Sequence, residues 1–162
     1  MNFLEIEEAH YPQVAEIYRQ GLETRLATFE TSVPEWAAWN KSRLPFGRIG
    51  LEENGQLLGW GSLAPVSSRH VYRGVAEISV YISAENRGKG LGEKLLNKLI
   101  AVSEENALWT LQAGIMRANK ASINLHKKCG FRVIGYREKI GELDGVWLDN
   151  IIMERRSRTT GI

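Results

Sequence analysis

Residues 77–96 read EISVYISAENRGKGLGEKLL, and the fold turns on how they are parsed. Ala76, Ile78, Val80 and Ile82 alternate with Glu77, Ser79 and Tyr81, which is the period of a strand. From Gly90 onward, GLGEKLLNKLIAVSEEN has the period of a helix. Between them stands Arg87-Gly88-Lys89-Gly90-Leu91-Gly92. Glycines at 88, 90 and 92 let the main chain approach a ligand without a Cβ in the way. The helix start that follows carries unpaired N–H groups and a partial positive charge. Arg87 and Lys89 add full charges. Such a loop suits an anion, most naturally a pyrophosphate. The plain alternative is a glycine turn that holds nothing.

Two well-known phosphate loops fit poorly. The P-loop requires Gly-x-x-x-x-Gly-Lys-Ser/Thr. Here Lys89 is followed by Gly90, and Ser83 stands five residues before Gly88. The dinucleotide fingerprint requires Gly-x-Gly-x-x-Gly. Counted from Gly88, its last position falls on Glu93.

The rest of the chain narrows the class. Its 162 residues are 43% hydrophobic and 25% charged, which suits one domain over 1–162 and argues against disorder. A net charge of only +2 lacks the basic footprint of a nucleic-acid partner. Residues 155–162 read as a flexible, basic tail. One cysteine, Cys129, excludes an intrachain disulfide. The N-terminal MNFLEIEEAH is acidic, and no apolar run suits a membrane crossing. A cytoplasmic protein with no membrane partner is the expectation.

FLEIEE reads as a first strand. HYPQVAEIYRQGL puts Val14, Ile17 and Tyr18 on one helical face. SVPEWAAWNKSRL predicts a second helix, with Ser32 and Pro34 as its cap and first turn. RIGLEENGQLLGWGSLAPV predicts a hairpin turned at Asn54-Gly55. After the central strand and helix come strand LWTLQAGI, helix KASINLHKKC, and strands FRVIGYREK and GVWLDNIIME. The order β-α-α-β-β-β-α-β-α-β-β predicts an α/β fold, a mixed sheet with helices on its faces. Ala118, Ala121, Leu125 and Cys129 form the expected core stripe of the last helix, which makes Cys129 a small hydrophobe rather than a nucleophile. His10, His70 and His126 share no metal-ligand spacing, so no metal is expected.

The pattern Arg87-x-x-Gly90-x-Gly92, between a strand and a helix, resembles the acetyl-CoA signature of the GCN5-related N-acetyltransferase (GNAT) superfamily. NKASINLHKKCGF, Asn119 to Phe131, resembles the later coenzyme-binding helix of the same family. IYRQGLETRLATFET, VAEISVYIS and GELDGVWLDNIIMER resemble the phosphinothricin N-acetyltransferase branch. The likeness spans about residues 3–154. It implies the GNAT fold, a mixed, mostly antiparallel sheet of six or seven strands flanked by about four helices. It implies acetyl transfer from acetyl-CoA directly to the amine of a small amino acid, of phosphinothricin, methionine sulfoximine or methionine sulfone type. It also implies a homodimer. The alternatives are a protein or peptide N-acetyltransferase and a non-catalytic acyl-CoA-binding module.

By the same resemblance, Arg87, Gly88, Lys89, Gly90, Leu91 and Gly92 hold the pyrophosphate. The main chain of Val80, Tyr81 and Ile82 pairs with the pantetheine arm like an added strand. Asn119 and Ser122 contact the coenzyme, although an Asn at a helix start also suits a cap. Glu77 matches the branch's general base, acting through water; otherwise a strand glutamate needs water or an arginine partner. Many family members carry a Tyr four or five residues before the Gly-Phe that ends the later helix. His126 stands there instead, either a candidate acid or a packing residue, with Tyr136 as a second candidate. Phe29 and Glu30 would shape the acceptor pocket. Arg69 and Arg73 would offer forked donors to its acidic groups, or form only an exposed basic loop. Trp147 reads as core.

Overall fold

A computed structural model describes residues 1–162. Seven strands form one sheet in the order β1-β2-β3-β4-β5-β7-β6. They are β1 (Asn2–Glu5), β2 (Ile49–Glu53), β3 (Gln56–Pro65), β4 (Val75–Ile82), β5 (Thr110–Met116), β6 (Arg132–Leu143) and β7 (Val146–Arg156). Four helices accompany them: α1 (Tyr11–Glu23), α2 (Trp36–Ser42), α3 (Leu91–Glu105) and α4 (Lys120–Lys128). The element order is the one read from the sequence. Every neighbouring pair is antiparallel except β4 and β5. Those two are parallel because a helix, α3, carries the chain back across the sheet between them.

Two cores sit on the two faces. On one, α3 buries Leu91, Leu95, Leu96, Leu99 and Ile100 against β2 to β5, and Ile123, Cys129 and Phe131 extend that cluster. Each fully buried leucine contributes about 1.5–3 kcal/mol. On the other face, Tyr11, Val14, Ile17, Tyr18 and Leu22 of α1 and Trp39 of α2 pack on Leu57 and Trp60. The β2–β3 hairpin turns at Asn54 and Gly55, both at positive φ, as its two-residue turn demands.

Several local expectations are corrected. Helix α2 begins at Trp36 with Glu35 at its N-cap and no side-chain cap, so Ser32 and Pro34 lie outside it. The Pro34 carbonyl instead accepts the Tyr11 hydroxyl, which pins that stretch to α1. On α4 the buried positions are Ile123, His126 and Cys129, whereas Ala118 and Ala121 are exposed. Trp147 is 57% exposed, because β6 and β7 form the end of the sheet and no helix covers their outer face.

Residues 155–161 are not a free tail. Arg155 and Arg156 finish β7, and Arg155 pairs with Glu104 at 3.0 Å. Ser157 is buried. Its hydroxyl donates to Glu104 at 2.8 Å and accepts from the N–H groups of Thr159 and Thr160. No helix is long and apolar enough to cross a membrane.

Candidate active site

Strands β4 and β5 pair over only three positions: Val75 with Thr110, Ala76 with Leu111, and Glu77 with Gln112. Both strands continue, to Ile82 and Met116, without pairing each other. On its other side β4 stays bonded to β3, and the Ser83 N–H donates to the Leu58 carbonyl at 2.9 Å. Hydrogen-bonded pairs alternate along an antiparallel ladder. Counting back from Ser83, the main-chain groups of Tyr81, Ser79 and Glu77 face β3. Those of Ile78, Val80 and Ile82 therefore face the gap.

The gap opens into a cleft of about 420 Å³. Strand alternation gives the cleft two sides. Ile78, Val80, Ala113 and Ile115 point toward the α3–α4 face, where Asn119, Ser122 and His126 of α4 line it. Glu77, Ser79, Tyr81, Gln112 and Gly114 point to the opposite face, under the segment Ala27–Glu30. That segment belongs to the loop between α1 and α2, not to a helix. Three contacts hold it down. Arg25 pairs with Asp144 at 3.1 Å. Asn119 donates to the Leu26 carbonyl at 3.1 Å. The Phe29 ring lies where a Cβ at Gly141 would stand, within 2.8 Å.

The anion loop lies between Ile82 and α3. Gly88 and Gly90 both have φ of +75°, and a Cβ on either would meet nothing within 4 Å. The backbone conformation therefore selects glycine there, and the space beside it is free for a ligand. Gly92 differs: its Cβ would press on Leu125 at 3.0 Å, so it serves the packing of α3 on α4. No side chain caps α3, and its first intrahelical bond runs from Lys94 to Gly90 at 3.4 Å. The N–H groups before Lys94 remain available for an anion. Arg87 folds back onto the carbonyls of Ile82 and Gln20, both at 3.3 Å. Lys89 donates to Asn86 at 2.9 Å. The Leu91 side chain is buried, so only its main chain can serve the loop.

Glu77 is exposed to the cleft and has no ion-pair partner within 4.0 Å. Tyr81 stacks on Tyr18 at 4.9 Å and on Trp60 at 4.8 Å. Burial pushes both tyrosine hydroxyls above their ordinary pKa. His126 is buried, with its Nδ1 2.7 Å from the Ser122 carbonyl and its ring edge-on to Phe131. A carbonyl can only accept, so Nδ1 carries the proton. Burial lowers the His126 pKa, which keeps the ring neutral near pH 7 and leaves Nε2 as an acceptor. An acid needs the opposite. Tyr136 is exposed on β6 beneath Arg117 and does not line the cleft.

The cleft thus gathers Phe29, Glu30, Glu77, Val80, Tyr81, Asn119, Ser122 and His126 from the residues singled out in the sequence. Arg69 and Arg73 are not among its walls. They precede β4, at the paired end of the β4–β5 ladder, away from the gap. Arg69 stacks on Tyr72 and Arg73 on Trp109. The arginines that do line the cleft are Arg43 and Arg137, and Asn150 joins them. Sequence reasoning missed all three. Asn150 had a signal: a polar residue between Asp149 and Ile151 in a strand.

An extended arm fits the gap, where Val80 offers its N–H and carbonyl and Ile82 its N–H, the Ile82 carbonyl being taken by Arg87. A pyrophosphate fits the uncapped, glycine-lined start of α3. Acetyl-CoA has both parts. A sheet split after a parallel pair, with an anion loop at the split, is the architecture of a GNAT acetyltransferase. Residues 11–131 match the Acetyltransferase (GNAT) family, and the chain belongs to it. It is an acetyl-CoA-dependent N-acetyltransferase.

Particular relatives narrow this. The L-methionine sulfoximine/L-methionine sulfone acetyltransferase of Pseudomonas aeruginosa is 32% identical over 152 residues, 90% of this chain and 88% of that protein. A phosphinothricin acetyltransferase from Sinorhizobium meliloti, solved in complex with AcCoA, superposes with a TM-score of 0.89 at 30% identity. The match covers 99% of this chain and 90% of that one. A ribosomal-protein-alanine N-acetyltransferase from Brucella melitensis superposes with a TM-score of 0.90 at 31% identity, covering 97% of this chain and 100% of that one.

Proposed function

We propose that the acceptor is the α-amine of a small amino acid of methionine sulfoximine, methionine sulfone or phosphinothricin type, with Glu77 as the general base. The observation that carries this is the position of Glu77: the last residue of β4 paired with β5, exposed to the cleft and without an ion-pair partner. The roof formed by Ala27–Glu30 supports a small acceptor over a peptide lying in an open groove. The likeness to a ribosomal-protein acetyltransferase keeps a peptide acceptor as the second reading.

When bound, acetyl-CoA supplies a thioester carbon open to attack by an amine. The loop 87–92 and the start of α3 hold its pyrophosphate, and Asn119 and Ser122 flank its arm. Glu77 takes the amine's proton through water. The Val80 N–H, turned into the gap, donates to a carbonyl oxygen lying there. Neutral His126 braces the end of α4 rather than supplying a proton.

The exposed apolar residues Val133, Ile134, Tyr136, Ile140, Val146 and Trp147 all lie on β6 and β7. Together they support a homodimer formed through this ribbon. Dependence on acetyl-CoA favours a cytoplasmic location.

A thiol-release assay with acetyl-CoA tests the acceptor. L-methionine sulfone and phosphinothricin are expected to outpace peptides with free N-termini. Faster turnover on the peptides would overturn the proposal.

A further inference from the structure

We infer that Arg43 and Asn150 grip the acceptor from two sides, Arg43 at its carboxylate and the Asn150 carboxamide oxygen at its amine. This rests on the amino-acid reading above. Five buried side-chain atoms in the protein lack a hydrogen-bond partner. Three belong to Trp39, Trp60 and Ser62, which are fully buried in the fold. The other two, Arg43 Nε and Asn150 Oδ1, belong to residues lining the cleft.

Arg43 ends α2 and lays its guanidinium over the Trp39 ring at 5.6 Å. It makes no ion pair, not even with Glu30 or Glu77, which also line the cleft. It lines the cleft together with Tyr18 and Tyr81, on the Trp39 side of the sheet, which is the side Glu77 faces. A guanidinium held against aromatic walls has a fixed fork, and low surrounding polarity strengthens its hold on a carboxylate.

Asn150 lies opposite Met116 on β5 and Arg137 on β6. Its Nδ2 is 3.0 Å from where a Cβ of Gly114 would stand. Glycine at 114 thus leaves the carboxamide room to lie over β5, beside the gap. The chemistry then matches group to group. Every amino acid of the proposed type offers a donor at its amine and an acceptor at its carboxylate. The cleft's two buried unpartnered side-chain atoms are one donor and one acceptor, each left unsatisfied at a cost unless paired.

The test uses the full-length enzyme with L-methionine sulfone and with 3-(methylsulfonyl)propylamine, the same molecule without its carboxylate. Arg43→Gln is expected to raise KM for the amino acid about 10- to 100-fold. KM for the amine should stay within about twofold, since that acceptor lacks the group Arg43 holds. Arg43→Lys should recover part of the loss. Asn150→Leu should lower kcat/KM on both acceptors, and Asn150→Asp, which keeps an acceptor oxygen, should restore much of it. The rise in Tm with acetyl-CoA, unchanged in every variant, reports an intact fold and donor site. Equal loss on both acceptors in Arg43→Gln overturns the grip, as does carboxylate discrimination that moves only with Arg137→Gln. A wild-type enzyme inactive on both acceptors overturns the amino-acid reading and the grip with it.

Discussion

Glu77 and Gln112 form the last pair of the β4–β5 ladder, and beyond them the two strands run on without pairing each other. The carboxylate therefore stands at the mouth of the gap. Further along β4, the carbonyl of Ile78 and the main-chain groups of Val80 are the first free of β5.

From that position, Glu77→Gln should lower kcat about 10²- to 10⁴-fold, the usual share of a general base. The dissociation constant for acetyl-CoA should barely move. Steady-state kinetics and calorimetric titration separate the two, and full activity in the variant would place the base elsewhere.

Gly90 and Gly92 should fail in different ways. An alanine at Gly90 must hold φ near +75°, a strain of about 1–2 kcal/mol, and puts a methyl group into the space proposed for the pyrophosphate. Weaker acetyl-CoA binding, by tenfold or more, is expected. An alanine at Gly92 meets Leu125 instead, so the loss should appear in Tm of the free protein. Undiminished binding by Gly90→Ala would remove the loop from the coenzyme site.

His126 makes a prediction with a definite sign. Its folded pKa is lowered by burial, while unfolded it titrates near 6.5. Below about 6.5 the unfolded chain binds the proton more readily, so stability falls as pH drops from there toward the folded pKa. Tm should decline across that window in the wild type and decline less in His126→Phe. The pH–rate profile of His126→Phe should match the wild type in shape; a lost limb would restore His126 as the acid.

Trp147→Glu tests the β6–β7 ribbon. The residue is exposed, so the free subunit should keep its fold while a charge disrupts the proposed contact. Light scattering after gel filtration should report a monomer. A dimer that survives this change does not use Trp147.

Ser157→Ala should destabilise by about 1–3 kcal/mol, since it removes a buried hydroxyl serving Glu104 and two main-chain N–H groups. For a chain of this size that is a fall in Tm of about 2–4 °C per kcal/mol. An unchanged Tm would mean that the last residues add nothing.

Local signals were legible in the sequence because they are local. Alternation marked β4, glycines at 88, 90 and 92 beside Arg87 and Lys89 marked the anion loop, and Asn54-Gly55 marked the hairpin. Asn119 illustrates a partial reading. It caps α4 through Ser122, as its place at a helix start suggested, and also ties down Leu26, 93 residues away. Arg43 and Asn150 stayed hidden for a different reason. Their meeting in one cleft depends on the register of β7 against β5 and on the angle at which α2 leaves the α1–α2 loop. Neither follows from periodicity. Arg69 and Arg73 had the right chemistry and lie close to Glu77 in sequence. Nearness along a strand, however, sets position along the ladder, and theirs is the paired end. Trp147 and Ser157 reversed the usual expectations, one aromatic exposed and one tail serine buried. The first sits on a sheet edge that this chain leaves bare, and the second finds a carboxylate on α3.

The brief β4–β5 ladder also divides the sheet mechanically. Four strands lie on one side and three on the other, and three residue pairs join them directly. An arm bonded to Val80 and Ile82 on one bank and resting on β5 along the other would act as a splice. The donor would then be a structural strut as well as a reagent, and each catalytic cycle would stiffen the seam on loading and slacken it when the product coenzyme leaves.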